Sequence, residues 1–403
     1  MPETVNLVES RTEFLFLTDD QLRELARLSK DLSGSSTWWG ESDFESERER
    51  GVIKIEPRGN SEYSVTVLDA VGAIGLPGLT LIVEPKIPVQ HFSFIAEWAF
   101  RSSPRSDNSL TKLEAGINFT DLVAGWFLNQ IELILRRGLL SDYRSISKTI
   151  PTARGRILAL ETSSRWLRGD ARVDCQFDTF DTDTPINRVI KAALLNISRS
   201  NAMSLNNKKR SSFCLRHMQE VGQLRAGDLL VRTNRESKQF EVALYFARQI
   251  LTSTGRELAA GQLDSQSFLF KTPDLIENGI RAILASALAP MHIEKRGRVL
   301  KPSTVSVNPD LEIGPPPFTG DVKYKYSTSY WNRTDLAQSV FFATAYESPK
   351  ALVISFTPNS DLKLPKLSVG KVSVTSATWN ASAEISPEQS AKSLIEQVRT
   401  FAL

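Results

Sequence analysis

Cysteine and histidine are scarce in this 403-residue chain, which holds two cysteines, Cys175 and Cys214, and three scattered histidines, His91, His217 and His292. Their scarcity excludes a disulfide framework and leaves no zinc-ligand spacing, and it fits a reducing cytoplasm. No apolar run reaches the ~18 residues of a membrane span. The start, Met1-Pro2-Glu3-Thr4, has no basic region followed by an apolar stretch, so a signal peptide is not expected either. A one-signed charge excess is missing too. With 49 basic against 46 acidic residues the net charge is +3, so any nucleic-acid surface must be local. There is no internal repeat, no low-complexity tract and no Gly-x-x-x-x-Gly-Lys-[Ser/Thr] phosphate loop.

What is present suggests an α+β or α/β multidomain chain of roughly two or three domains. Residues 1–110 read as a β-rich N-terminal domain with one early helix, Asp19 to Leu32, opened by a capping box of Thr18 with Gln21. Strand-like segments follow at Val52 to Ile55, Tyr63 to Leu68 and Leu79 to Val83. Between the helix and these strands lies a polar loop, Gly34 to Arg50, containing Trp38-Trp39 and the acidic run Glu41 to Glu49. The proline-containing stretch Ser102 to Ser109 marks a boundary. Residues 111–260 read as mainly helical, with helices from Thr120 to Arg137, Pro185 to Ser198 and Phe240 to Leu251. Between Arg136 and Arg172 there are nine basic residues against three acidic ones. Arg136, Arg137, Arg154 and Arg156 are candidates for DNA-backbone contact, and helix-face arginines of a structural bundle are the equal alternative.

Residues 261–403 give the most orderly pattern. A helix runs from Pro273 to Leu288 with Thr272 as its cap, and strands lie near His292 to Leu300, Thr304 to Ile313 and Gly320 to Ser327. A second helix, capped by Thr334 and Asp335, reaches Tyr346, and a strand covers Ala351 to Phe356. This α-β-β-β-α-β order is the core of a restriction-endonuclease-like (PD-(D/E)xK) fold. A closing helix begins at Ser386-Pro387-Glu388-Gln389.

On this core Pro309-Asp310 is separated by ten residues from Asp321-Val322-Lys323. Strand alternation puts Asp321 and Lys323 on one face with Val322 pointing inward, and Asp310 on the neighbouring strand reaches the same point. Two carboxylates there make a hard oxygen site suited to Mg²⁺, with the Val322 carbonyl as a further ligand and the Lys323 ammonium orienting a water. Glu277, on the preceding helix, joins this cluster or is an exposed helix residue. Gln338 positions the site, touches DNA or does neither. Lys325, on the same strand face as Lys323, substitutes for it, binds phosphate or is a surface lysine. The run Pro315-Pro316-Pro317 suggests a rigid turn between the two acidic strands.

The segment from Phe268 to Glu277, then Pro309-Asp310, Asp321-Val322-Lys323, and Asp335 to Gln338, resembles the McrC family, the nuclease subunit of the McrBC 5-methylcytosine-specific restriction system. Upstream, Val71-Gly72, Leu81 to Ile87, Gly155-Arg156-Ile157 and Asp183 to Arg188 resemble the family's other segments, in the same order. Ile276 stands before Glu277 where the family usually has Phe, and Phe342 stands where it tends to have Tyr. The resemblance implies a Mg²⁺-dependent endonuclease acting on double-stranded methylated DNA. It also implies an N-terminal domain that contacts a McrB-like AAA-type GTPase hexamer, whose GTP hydrolysis this subunit stimulates. Lacking a phosphate loop, the chain itself is expected to bind no GTP. A catalytically silent adaptor of an AAA-type motor and a stand-alone nuclease of the same fold are the alternatives. A scaffold has no need to hold two mutually repelling carboxylates together.

Overall fold

The computed structural model describes residues 3–33, 51–100, 119–200, 203–260, 268–302, 304–359 and 364–402. The expected loop at 34–50 with Trp38-Trp39, the expected boundary at 102–109 and the capping side chain of Thr120 lie outside the described residues. The chain divides into two compact units, one made of Met1–Ile117 with Ala260–Leu403, the other of Asn118–Ala259.

The first unit begins with β1 (Glu3–Val8), β2 (Thr12–Phe16) and α1 (Asp19–Ser33). The capping box forms as expected: Thr18 N–H donates to Gln21 Oε1 at 3.0 Å and Gln21 N–H to Thr18 Oγ1 at 3.3 Å. β3 (Ile53–Gly59), β4 (Glu62–Val67), β5 (Ala70–Leu76) and β6 (Leu79–Glu84) follow. β2, β4 and β3 make an antiparallel sheet, while β1 pairs in parallel with β6, which forms a hairpin with β5. Both sheets and α1 bury one core that includes Leu7, Leu25, Val65, Ile74 and Leu81. A helix not anticipated from the sequence, α2 (Val89–Ala99), ends this stretch. Six successive residues, His91 to Ala96, are buried, polar His91 and Ser93 among them, so the helix lacks the one-sided apolar stripe that marks a surface helix.

The second unit contains α3 (Phe119–Arg137), β7 (Asp142–Ile150), β8 (Arg156–Ile157), α4 (Ala159–Trp166), β9 (Val173–Asp181), α5 (Pro185–Arg199), α6 (Leu205–Arg216) and α7 (Glu241–Ala260). Helices make up most of this unit, and what the sequence reading did not anticipate is a three-stranded antiparallel sheet of β7, β9 and β8. β7 is largely exposed, and its polar, basic sequence carries only a weak apolar alternation. α5 starts on a built latch. Thr184 Oγ1 accepts from Asn187 N–H at 3.3 Å, and Asn187 Nδ2 donates to Leu140 O and Thr182 O, both at 2.8 Å. Buried Arg188 grips both oxygens of Asp228 at 2.8 and 2.9 Å and also meets Asp183.

The chain returns to the first unit through β10 (Phe268–Lys271), which pairs antiparallel with β5 and sets Leu269 opposite Gly72. α8 (Thr272–Ala287) follows at once. Its cap position is Lys271, whose side chain makes no capping hydrogen bond, so the expected Thr272 cap is corrected. The Thr272 hydroxyl instead donates to the buried Glu9 carboxylate, and its N–H donates to Asp69 O at 3.0 Å. Burial pushes Glu9 up to about 7, against the pull of Lys86, whose ammonium lies 3.7 Å away. α8 crosses α2 so closely that a Cβ on Gly279 would sit 2.2 Å from the Ile95 carbonyl oxygen. In an open helix Gly→Ala would add stability. Here Gly279→Ala is expected to lower it by about 1–3 kcal/mol through overpacking. Thermal unfolding gives the sign, and a raised midpoint would refute the close crossing.

Four short strands come next: β11 (Ile293–Glu294), β12 (Arg298–Val299), β13 (Ser306–Val307) and β14 (Leu311–Ile313). The two longer strands read from the sequence are thus each split, and β12 and β13 pair apart from the main sheet. Pro309, without an N–H, cannot continue a ladder from β13 into β14. β15 (Phe318–Tyr326), α9 (Arg333–Ala345), β16 (Lys350–Thr357), β17 (Leu367–Val369), β18 (Val372–Asn380) and α10 (Pro387–Ala402) complete the chain. α9 is capped by Asn332, whose side chain accepts from Thr334 and Asp335 N–H, which corrects the expected Thr334–Asp335 cap. α10 has the expected reciprocal bonds between Ser386 and Gln389.

The main sheet has the order β11-β14-β15-β16-β18-β17. β14 meets β15 antiparallel, and β15, β16 and β18 run parallel. The elements entering it, α8-β11-β14-β15-α9-β16, follow the order expected from the sequence, extended by β18 and its antiparallel neighbour β17. β16 is buried nearly throughout, as a parallel strand covered on both faces must be. Ala351 and Val353 pack with Ala343, Leu336 and Val340 of α9. On the other face Phe356 meets Trp379, which also touches Phe94 and receives His91 of α2 edge-on.

Candidate active site

β15 pairs with β16 from Thr319 to Val322, then loses register until Tyr326. The irregularity frees Lys323, Tyr324 and Lys325 from the ladder, and such bulges re-aim side chains beside functional sites. Asp310 immediately precedes β14, and its Oδ2 accepts the Val322 N–H at 2.8 Å. That bond holds the Asp310 carboxylate next to buried Asp321. The Asp310 carbonyl is in turn held by Arg281 Nη1 at 2.8 Å.

Lys323 Nζ lies 2.8 Å from Asp321 Oδ2 and donates to Gln338 Oε1 of α9, also at 2.8 Å. The Asp321 Oδ2 atom is buried and has no well-aligned hydrogen bond, so its contact with the ammonium is an ion pair. Glu277 of α8 is met by Lys295 Nζ at 3.0 Å, and the same ammonium stands 3.5 Å from Asp310 Oδ1. Asp310, Asp321, Lys323, Glu277 and Gln338 therefore belong to one connected group with the Val322 backbone at its centre. Lys325 is tied to Asp335 at 2.7 Å and stands outside it.

The electrostatics follow from crowding in a buried place. Burial, with the neighbouring Asp310 charge, pushes Glu277 up to about 8, although Lys295 opposes it. Burial also lifts Asp321 to about 7, with Lys323 lowering it and Asp310 adding to the rise. For Lys323 and Lys295 burial disfavours the charge, but the carboxylates outweigh it and both ammonium groups are held more firmly protonated than usual. Three acids thus share two lysines.

Among the described residues no three acidic, histidine or cysteine side chains close on one point as a ready-made cage. Mg²⁺ does not require one, because it keeps several waters and is commonly bound through one or two carboxylates. Asp310, Asp321 and the Val322 carbonyl are hard oxygen donors of that kind. The imperfectly satisfied Asp321 Oδ2 is the atom that a divalent cation would complete.

Two residues of the group were not read from the sequence. Arg281 follows Glu277 by one helical turn, and the i,i+4 spacing on one helix face was the available signal. Lys295 carried no signal, since it comes from the irregular chain between β11 and β12.

The four arginines named as candidates for DNA-backbone contact lie in the second unit. Arg136 and Arg137 are exposed in the last turn of α3. Exposed Arg154 stacks on the Phe177 ring at 4.4 Å, and Arg156 is exposed on β8. Other basic residues of the same stretch are spent on ion pairs: Arg144 with Asp181 and Asp183, Arg165 with Asp170 and Asp174, and Arg172 with Asp170. No helix among the described residues is long and apolar enough to cross a membrane.

Comparison with known proteins places a chain of this architecture, with an acid-and-lysine group on its main sheet, among restriction-system components. Over 112 residues it is 30% identical to the type IV methyl-directed restriction enzyme EcoKMcrBC of Escherichia coli (strain K12), an alignment covering 28% of this chain and 32% of that protein. The chain therefore spans about a third of that relative's length. Its fold is similar to a chain in the refined half-complex from a tetradecameric assembly of Thermococcus gammatolerans McrB AAA+ hexamers with bound McrC. That match has a TM-score of 0.63 and 14% identity, covering 98% of this chain and 100% of the other. The model of the family described as McrBC 5-methylcytosine restriction system component matches residues 65–354. The chain belongs to that family, in agreement with the resemblance to McrC read from its motifs.

Proposed function

We propose that this chain is the metal-dependent DNA endonuclease subunit of a GTP-dependent restriction complex directed at modified cytosine. On this reading its C-terminal sheet and helices are a PD-(D/E)xK core. The observation that carries the reading is the convergence of Asp310, Asp321 and Lys323 on one point in a restriction-system protein. Asp310, Asp321 and the Val322 carbonyl would hold Mg²⁺, with Glu277 adjoining from α8. When bound, a divalent cation supplies charge neutralisation at the scissile phosphate and activation of the attacking water. Lys323, fixed between Asp321 and Gln338, orients that water and steadies a phosphate oxygen. Gln338 is a positioning residue, since it acts through the lysine.

The Arg136, Arg137, Arg154 and Arg156 side chains suit sequence-independent contact with phosphates of double-stranded methylated DNA. The partner is a McrB-like AAA-type GTPase hexamer, which binds the GTP because this sequence has no phosphate loop. This chain stimulates its hydrolysis, in the cytoplasm.

The test is cleavage of methylated and unmethylated plasmid with Mg²⁺, by the chain alone and with its GTPase partner plus GTP. Cutting of the methylated plasmid only in the full mixture, lost in Asp321→Ala while GTPase stimulation persists, is the expected result. Stimulated GTP hydrolysis without cutting would establish an adaptor, and cutting by the chain alone a stand-alone nuclease.

A further inference from the structure

We propose that Lys295 is a built-in counter-ion of the carboxylate group, occupying charge space that a divalent cation must take over. The inference rests on the metal-site reading above and adds a residue that no motif assigns. Its ammonium is 3.0 Å from Glu277 Oε2 and 3.5 Å from Asp310 Oδ1, so one mobile cation bridges an acid of α8 and the acid ahead of β14.

Three features set this lysine apart from Lys323. Lys323 is on the bulged segment of β15 and is held from two sides, by Asp321 and Gln338. Lys295 comes from irregular chain and its two recorded polar partners are both carboxylates of the group. Its side chain is about 40% exposed, against 18% for Lys323. A long, partly exposed lysine can withdraw its head group into water at little cost while its stem stays packed. Lys323 has no comparable exit.

The group would otherwise be unstable before loading. Two buried carboxylates side by side without a cation repel one another, and leaving such a charge unpaired is strongly unfavourable. Lys295 satisfies Glu277 and Asp310 until a metal arrives, and by the same contacts it competes with that metal.

The test measures metal affinity without cleavage. Mn²⁺ is titrated at pH 8.5 into the whole chain, and the free ion is followed by its paramagnetic resonance signal, for wild type, Lys295→Met, Lys295→Arg and Asp321→Ala. Lys295→Met keeps the stem and removes the charge, and its dissociation constant for Mn²⁺ is expected to fall by about tenfold, equivalent to ~1.4 kcal/mol. Lys295→Arg should stay near wild type. Equal or weaker Mn²⁺ binding by Lys295→Met, with binding still lost in Asp321→Ala, would overturn the counter-ion role and leave the metal site standing. Undiminished binding in Asp321→Ala would overturn both, because the ion would then sit elsewhere. Circular dichroism spectra superimposable on wild type guard against misfolding. Should Lys295→Met fold poorly, Lys295→Gln serves as the second variant under the same criterion.

Discussion

In Lys323→Met, plasmid cleavage by the assembled complex is expected to fall by about two to three orders of magnitude, the range for losing one preorganised electrostatic contact to a transition state. Two effects add. On the proposed reading the ammonium that would orient water and steady phosphate is gone, and Asp321 loses the neighbour that partly offsets its burial. Gln338→Leu should cost less, roughly tenfold, because it removes only the outer of the two partners that hold Nζ. The ordering of the two variants is the informative quantity. Initial rates of plasmid nicking supply it, and a Gln338→Leu defect as deep as that of Lys323→Met would make the amide a direct participant.

The second large effect is on stability. Arg188→Ala is expected to destabilise the 118–259 unit by about 3–5 kcal/mol, the usual cost of leaving buried partners of a charge pair uncompensated. Arg188 is 5% exposed, and it faces Asp228 and Asp183, both buried. Lysine should not rescue it, because a point charge cannot reproduce the two-pronged contact with Asp228. Bonds from Arg188 hold Asp228 below the ordinary carboxylate range. Burial opposes the charge of Asp183, but the Gly222 N–H and Arg188 outweigh it and its value is lowered as well. For such groups the stabilisation is complete above the unfolded value near pH 4 and is lost as the pH falls through the lower folded values. Urea titration at pH 7 and pH 3 checks both statements. A loss under ~1 kcal/mol at pH 7 would show the network to be expendable.

The acidic site was legible because its residues obey short-range rules. Strand alternation put Asp321 with Lys323, and the hairpin brought Asp310 beside them. Glu277 and Gln338 were named as candidates, and what fixes them is contact across elements: Lys295 for one and Lys323 for the other. Such contacts leave no periodic trace. The same limit explains the middle sheet, where β7 and β9 pair along nine residues each but carry mostly polar side chains. Caps were legible where the box was local and reciprocal, at Thr18 and Ser386. The helix beginning at Thr272 misled because that hydroxyl is committed to Glu9, far away in sequence.

Other segments that carried the family resemblance turn out to serve packing. A Cβ on Gly155 would lie 2.5 Å from the Gln176 carbonyl, so Gly155-Arg156-Ile157 fixes the approach of β8 to β9. Lys86, from the Leu81 to Ile87 segment, joins Glu9 and Asp69 and covers the Tyr324 ring at 4.6 Å. Tyr324 lies between Lys323 and Lys325, so a segment near the N-terminus helps fix the strand that bears the acids.

The pairing of β10 with β5 also sets a schedule for synthesis. While the nascent chain grows, β5 waits with one edge bare until Phe268 leaves the ribosome, which at ordinary elongation rates takes roughly ten to forty seconds. A bare edge is a template for any passing strand. In that interval the continuous stretch 118–259 emerges whole and can fold while the sheet begun before it is still incomplete. A translational pause before Phe268 has emerged would lengthen the exposure and favour aggregation, whereas one after Lys271 has emerged would not.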